Sequence, residues 1–252
     1  MKKEIRIDEL RVMMLDALAL RGIGSEDADF IVDDFLDAEL EGHKTHGVSK
    51  FLTIDIGLSG REGSIEIVSR TGGHAKIDGH RELGHIAARQ AAALSAELAK
   101  EHGVGLVALT NVSRYARLVP YSRLIAERGC IGIVTNNGGP AHVVPFGGSA
   151  PMFGTNPLSF GFPQGEKPPL LFDFATAQGV WGELRQAIVE ERSLPERTFL
   201  DAAGAFTTDP QRVQGVLPFG GARGAALCMA LEILTGAFVG AKMGGEIRDE
   251  YD

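Results

Sequence analysis

The sequence predicts a mixed α/β fold without a Rossmann nucleotide turn, on three observations. Apolar runs of strand character alternate with amphipathic helical stretches along the chain. Glycine supplies 33 of 252 residues, about 13% against a usual ~7%. It is spread without a period, which indicates many tight turns rather than collagen or low complexity. Finally, Gly103-Val104-Gly105-Leu106-Val107-Ala108 matches GxGxxA, but it closes a predicted helix and starts a strand. A dinucleotide turn runs the other way, from strand into helix.

The elements follow in order. Leu10, Met13, Met14, Ala17 and Leu18 share one face of a first helix, with Asp8 as its cap and Gly22 and Gly24 as its break. Ser25 caps a second helix whose stripe is Ala28, Ile31, Phe35 and Ala38, ended by Gly42. Residues 65–68 read as a strand, 86–99 as an alanine-rich helix, 104–109 as a strand and 120–128 as a helix. Strands at 131–135, 158–162 and 170–174 precede helices at 180–190 and 224–239. No linker is long or polar enough to split the chain. It reads as one unit, 1–252, with a helical segment at 1–42 and an α/β body at 43–252.

Composition excludes several classes. A net charge of −8 and the lack of a Lys/Arg cluster argue against a nucleic-acid partner. Cys130 and Cys228 are too far apart to suggest a disulfide framework or metal motif, and read as buried reduced thiols. No signal-peptide core follows Met1. The apolar run 225–241 is interrupted by Glu232 and reads as a buried helix rather than a membrane span. A cytoplasmic location is the expectation. There is no phosphate loop, HExxH or GxSxG elbow, and no third ligand to join His43 and His46 in a metal site.

Four segments place small and polar residues where a fold would otherwise put core. They are Gly42-His43-Lys44-Thr45-His46-Gly47-Val48-Ser49-Lys50; the run from Asn136-Asn137-Gly138-Gly139-Pro140 to Phe153-Gly154-Thr155-Asn156-Pro157-Leu158; Phe172-Asp173-Phe174-Ala175-Thr176; and Leu217-Pro218-Phe219-Gly220-Gly221-Ala222-Arg223-Gly224. In this order they resemble the non-Rossmann malate/L-lactate dehydrogenase family. That family includes ureidoglycolate, sulfolactate and diketogulonate dehydrogenases and the reductases of cyclic imino acids. The resemblance runs from the first helix to about Gly240.

The resemblance implies a homodimer that binds NAD or NADP in an extended pocket and acts on a small carboxylate substrate. It makes His46 the catalytic acid/base, a role suited to a group that titrates near neutrality. Thr45 beside it can hydrogen-bond substrate or cofactor. Lys50, one helical turn on, stands where relatives have an arginine for the substrate carboxylate; it keeps the charge without the bidentate fork. Thr155 and Asn156 match the GTNP turn. Asp173, Phe174, Ala175 and Thr176 match a cofactor segment at the end of a strand, where a carboxylate can accept from ribose hydroxyls or serve as a structural cap. Arg223, before Gly224, can neutralise cofactor phosphate or cap the turn before a helix.

Two departures stand out. Arg114 occupies the place of a second histidine in relatives; arginine cannot give up a proton at neutral pH but can bind a carboxylate. The family also continues beyond the match to Gly240, whereas this chain ends in a short polar stretch, Gly244-Gly245-Glu246-Ile247-Arg248-Asp249-Glu250-Tyr251-Asp252, so a C-terminally shortened version of the fold is expected. The expected activity is hydride transfer on a 2-oxo or 2-hydroxy acid. A cyclic imino-acid (C=N) reductase and a catalytically silent binding or regulatory subunit are the alternatives.

Overall fold

The computed structural model describes residues 4–248; residues 1–3 and 249–252, the end of the polar stretch, lie outside the described residues. The first two helices form where the apolar stripes place them, α1 over Ile7–Ala19 and α2 over Ser25–Leu40. The α2 stripe of Ala28, Ile31, Phe35 and Ala38 is buried throughout. On α1, Met14 and Leu18 are buried but Met13 is 60% exposed, because the helix packs along one narrow line. The expected caps are corrected. Asp8 lies inside the first turn, ion-paired to Arg6 at 2.8 Å, and Ser25 is itself helical, following Gly24. Neither helix has a side-chain cap; acids in each first turn favour the positive end of the helix instead.

Helical structure continues past residue 42. Two short helices, α3 (Val48–Phe51) and α4 (Ile54–Leu58), carry Phe51 and Ile54 into a core with Leu18, Ile31, Phe35, Leu83 and Ile86. Then β1 (Glu66–Thr71), β2 (His74–Glu82) and β3 (Leu106–Val112) form a sheet in that order, antiparallel then parallel. The crossover between β2 and β3 is α5 (Gly84–His102). Its alanines let it pack on two sides at once. Ala91, Leu94 and Leu98 meet Ala75 and Ile77 of the sheet, while Ala88, Ala92 and Ala96 meet Tyr121 and Ile125. Gly103 ends α5 at φ +85°, so the GxGxxA match is a helix-to-strand turn, as its context indicates.

The second sheet is antiparallel, in the order β4 (Gly132–Thr135), β5 (Leu158–Gln164) and β6 (Lys167–Phe174). Helix α6 (Val119–Glu127) covers one face, where the Ser122 and Ser159 hydroxyls are 2.7 Å apart. The pairing puts Ile133, Phe160 and Phe172 in one row on the other face, where Ile133 is 63% and Phe172 48% exposed.

A third antiparallel sheet, β8 (Phe206–Thr207), β7 (Phe199–Asp201) and β9 (Val213–Val216), follows α7 (Trp181–Val189). With Val143, Phe153, Leu184, Phe199, Val216 and Cys228 it encloses another core. The helix expected over 224–239 is regular only as α8 (Ala222–Glu232), and widens into a π-helical turn over Ile233–Ala237. Both cysteines are free thiols; Cys228 is buried and Cys130 half-buried.

Candidate active site

The site begins at the turn after α2. The His43 N–H donates to Ala38 O at 2.8 Å and the His46 N–H to His43 O at 2.8 Å, curling the chain back toward α2. A side chain at Gly47 would collide with the Glu39 carboxylate, which reaches across to accept from the Val48 N–H at 3.1 Å. That clamp fixes the turn. Within it, Thr45 Oγ1 and His46 Nδ1 are 3.0 Å apart.

The opposite wall is α7. A Cβ on Gly182 would stand 2.6 Å from Thr45 Cγ2, so the first turn of α7 rests on Thr45. Beside it, the Trp181 indole stacks flat on His142, with centroids 4.0 Å apart and planes at 10°. The His142 backbone is pinned on both sides, its N–H donating to Phe153 O at 2.8 Å and its carbonyl accepting from the Val216 N–H at 2.9 Å.

Cations surround these histidines. Arg117, from the loop before α6, is buried and donates through Nε to Asp34 Oδ1 at 2.6 Å and through Nη2 to Asp34 O at 3.1 Å; it also pairs with Glu41. Lys50 lies on α3. Arg114 extends beside Gly139, its Nε 3.9 Å from where a Cβ would stand. Burial, then the charges of Arg117, Lys50 and His43, lower the His46 pKa to about 4. Burial, then Arg114 and Arg185, also lower His142. Burial of Asp34 outweighs its pairing with Arg117 and raises its carboxyl to about 6. Burial is the largest cause in all three cases, so these surroundings favour the uncharged form of His46, His142 and Asp34 alike.

The other segments identified in the sequence assemble behind this recess. Asp173 Oδ2 accepts from the Leu118 and Val119 N–H groups at 3.0 and 2.9 Å, capping α6. Burial raises its carboxyl against those bonds. Asn156 is fully buried with φ +36°. Its Nδ2 donates to Glu232 Oε2 at 2.6 Å and Cys228 O at 3.0 Å, and its Oδ1 accepts from the Gly138 N–H at 3.1 Å. Thr176, also fully buried, donates its N–H and Oγ1 to Thr155 O, both at 2.9 Å. Asn156 and Thr176 therefore act on any ligand through the loops they hold.

Half-buried Ala175 packs against the third core. Phe174 is partly exposed and meets Phe219 edge-on at 6.1 Å. Gly224 packs beneath the Phe219 carbonyl, and Arg223 is exposed in the first turn of α8. An open hollow of about 350 Å³ at the far end of α7, lined by Ile188, Arg192, Thr208 and Pro210 among others, shares no residue with this site.

The structure thus joins Thr45, His46 and Lys50 at one turn, and groups Thr155, Asn156 and Thr176 into one scaffold. Sequence reasoning missed Arg117, Asp34, His142, Trp181 and Arg185. Asp34 gave a signal, as an acid three residues from Ile31 beside a stripe that must be buried. His142 lies inside a segment already singled out. Nothing local marks Arg117, whose partners are more than seventy residues away.

Among the described residues the mixed α/β frame sets a half-buried histidine beside Arg117 and Lys50 and has no strand-to-helix glycine turn of Rossmann type. The model of the malate/L-lactate dehydrogenase family matches residues 5–252, and the chain belongs to that family. It is 34% identical over 251 residues to a malate/(S)-sulfolactate dehydrogenase of Methanothermus fervidus, covering 97% of this chain and 74% of that protein. A delta(1)-pyrroline-2-carboxylate reductase of Burkholderia ambifaria is 29% identical over 246 residues, 94% of this chain and 71% of its own length. Among solved structures, a dehydrogenase from Sinorhizobium meliloti superposes with a TM-score of 0.91 at 28% identity, covering 99% of this chain and 75% of that one.

Proposed function

We propose that the chain is an NAD(P)-dependent oxidoreductase acting on a small 2-oxo or 2-hydroxy acid, working in the cytoplasm as a homodimer. The observation that carries this reading is His46, an imidazole held near pKa 4 and tied through Nδ1 to Thr45. Uncharged at neutral pH, it is a base. In the tautomer whose Nδ1–H donates to Thr45 Oγ1, Nε2 is the proton acceptor.

During oxidation Nε2 takes the substrate hydroxyl proton while the C2 hydrogen departs as hydride; during reduction the same atom returns a proton to the carbonyl oxygen. Lys50 and Arg114 supply positive charge for the substrate carboxylate. An incoming carboxylate offsets those cations, lifts His46 toward its ordinary value and so readies it to donate. The nicotinamide, NAD or NADP, supplies the hydride acceptor and donor.

The residues fit such a cofactor. Gly220 and Gly221, both at φ +60°, leave a side-chain-free turn before α8, walled by Phe146 next to Gly221. Arg223 and the first turn of α8, which has no side-chain cap, suit phosphate, and the exposed faces of Phe174 and Phe219 suit a flat ring. Asp173 Oδ1, the oxygen not bonded to the α6 N–H groups, is the acceptor we assign to a ribose hydroxyl. Thr155, Asn156, Ala175, Thr176 and Gly224 hold these loops in shape.

Family membership and the exposed apolar row on the second sheet support a dimer. Among the described residues no helix is long and apolar enough to cross a membrane, and the free thiols accord with a reducing compartment.

A second reading, reduction of a cyclic imino acid, is favoured by the similarity to the Burkholderia ambifaria reductase. Following reduced nicotinamide absorbance with 2-oxo acids and cyclic imino acids separates the two, with His46→Ala alongside. The main reading expects turnover of 2-oxo acids that the variant loses. An imine is protonated by solvent more readily than a ketone, so equal loss on both substrates would sink the imine reading. Absence of turnover with every acid would leave a binding or regulatory subunit.

A further inference from the structure

One guanidinium fastens the loop before α6 to the end of α2. Asp34 and Glu41 stand seven residues apart, which puts them on the same face of the helix. Arg117 reaches both. Its Nε donates to Asp34 Oδ1 at 2.6 Å, its Nη2 to the Asp34 carbonyl at 3.1 Å and its Nη1 to Glu41. Side-chain exposure is 8% for Arg117 and 1% for Asp34. Arg123 on α6 ties the same two helices nearer the surface, to Asp37 at 2.7 Å.

Stability is a poor reason to bury such a pair. Its attraction does little more than offset the loss of hydration, and apolar side chains of similar volume commonly serve as well. Its place in the chain is more telling. Glu41 caps the C-terminal end of α2, and the chain passes from there straight into the turn that carries Thr45 and His46. On the other side, Arg117 is followed by Leu118, whose N–H is bonded to Asp173. One buried side chain thus spans the ground between the histidine turn and the end of β6, and its charge reaches both His46 and Asp173.

We propose that Arg117, locked by Asp34 and Glu41, is a positioning residue for His46: it fixes the turn that carries the imidazole and sets a permanent positive charge within reach of it. A guanidinium keeps its proton at every working pH, so that charge never switches off. It opposes a second charge on the imidazole, which waits as a neutral base and, once protonated, gives the proton up readily. The other cations acting on His46 are Lys50 from α3 and His43 from its own turn. The acids of the region are engaged elsewhere: Glu39 with the Val48 N–H, Asp173 with α6, and Asp34 and Glu41 with Arg117 itself; α7 adds Glu183 beside Gly182. The chemical purpose of the arrangement rests on the hydride-transfer reading of the same site.

The experiment is an NMR titration of the protein carrying isotope-labelled histidine, from about pH 8 to about pH 4.5. The His46 signal is identified by its loss in His46→Gln, and hydroxy-acid oxidation is followed on the same samples. In the native protein His46 should show only the onset of a shift at the acid end. Arg117→Gln should bring an inflection centred at about pH 5, still below the ordinary value because burial persists. Arg117→Lys keeps the charge but loses the fork, so its His46 signal should follow the native one while kcat falls about threefold or more with KM little changed. If Arg117→Gln fails to fold with Asp34 stranded, the double replacement Asp34→Leu with Arg117→Met removes both charges together and should show the same inflection. A native-like His46 titration in whichever of these charge-removing variants folds, whatever its melting temperature, overturns the proposal and leaves Arg117 a structural brace. Unchanged kcat in Arg117→Lys overturns the positioning of the turn. The titration needs no turnover, so the expected inflection in a protein that oxidises no acid would uphold the charge on His46 and overturn the hydride-transfer reading instead.

Discussion

Replacing His85 with phenylalanine should make the protein markedly less sensitive to mild acid. His85 sits in the first turn of α5, 4% exposed, its ring 5.3 Å from Phe35. Neither ring nitrogen has a hydrogen-bond partner among the described residues. Burial, with a smaller push from Lys50, lowers its pKa from 6.5 to about 3. A base whose pKa falls on folding is protonated in the unfolded chain but not in the fold between those two values. Stability is therefore intact above about pH 6.5 and is lost as pH falls through that window toward 3. At pH 5 the unfolded side is favoured by about 1.5 pH units, or roughly 2 kcal/mol.

Urea unfolding at pH 7.5 and pH 5.0 measures this directly. The native protein should lose about 2 kcal/mol more than His85→Phe over that interval. His46 adds an acid-labile contribution of the same sign. Asp34, raised to about 6, acts oppositely, since its buried carboxylate destabilises the fold as pH rises. Both groups are common to the two proteins and cancel in the comparison. A difference below about 0.5 kcal/mol would refute the reasoning, because His85 would then be taking up its proton inside the fold.

Three further outcomes follow from the site. Because His46 is neutral down to about pH 4, kcat/KM for hydroxy-acid oxidation should stay level from pH 8 to near 5, while reduction should accelerate as pH falls; an oxidation limb centred at 6.5 in rapid pH-jump assays would contradict the lowered pKa. Asn156→Ala leaves Glu232 and the Gly138 N–H short of partners in a dry interior, so stability should fall by about 3 to 4 kcal/mol, or roughly 10 °C in a thermal melt; a shift of a degree or two would contradict the hub. Gly182→Ala places a methyl group against Thr45, and kcat/KM should drop about tenfold with a melting shift under about 3 °C. The reverse pattern, normal activity with a large melting shift, would mean that α7 does not support the catalytic turn.

What the sequence disclosed depended on the reach of each signal. The α2 stripe and the alanines of α5 obey a period set by local geometry, and both helices lie where that period puts them. Strand β2 escaped notice because two of its three inward positions, Ala75 and Gly79, lack a large apolar side chain and only Ile77 between them carries one, which weakens the alternation that marks a half-buried strand. The caps at Asp8 and Ser25 were misplaced by one or two residues, since a first-turn acid and a capping side chain give the same local signal. At the site, His46 and its turn were legible as a motif. The pairing of Arg117 with Asp34 and the meeting of Trp181 with His142 are long-range contacts, and no local pattern encodes them.

The Asn156 side chain binds together stretches of chain that are distant in sequence: the Gly138 loop, its own turn, and the end of α8, from which Glu232 carries the link on to the Gly244 N–H at 2.6 Å. Aspartate there would lose the donor, and glutamine would displace the amide by a methylene, so no single replacement serves every partner. Arg114 and Arg185 are exposed side chains whose exchange leaves the interior undisturbed. The buried amide is thereby a fixed point that ties the Gly138 loop to the end of α8, and a change at either exposed arginine does not touch it.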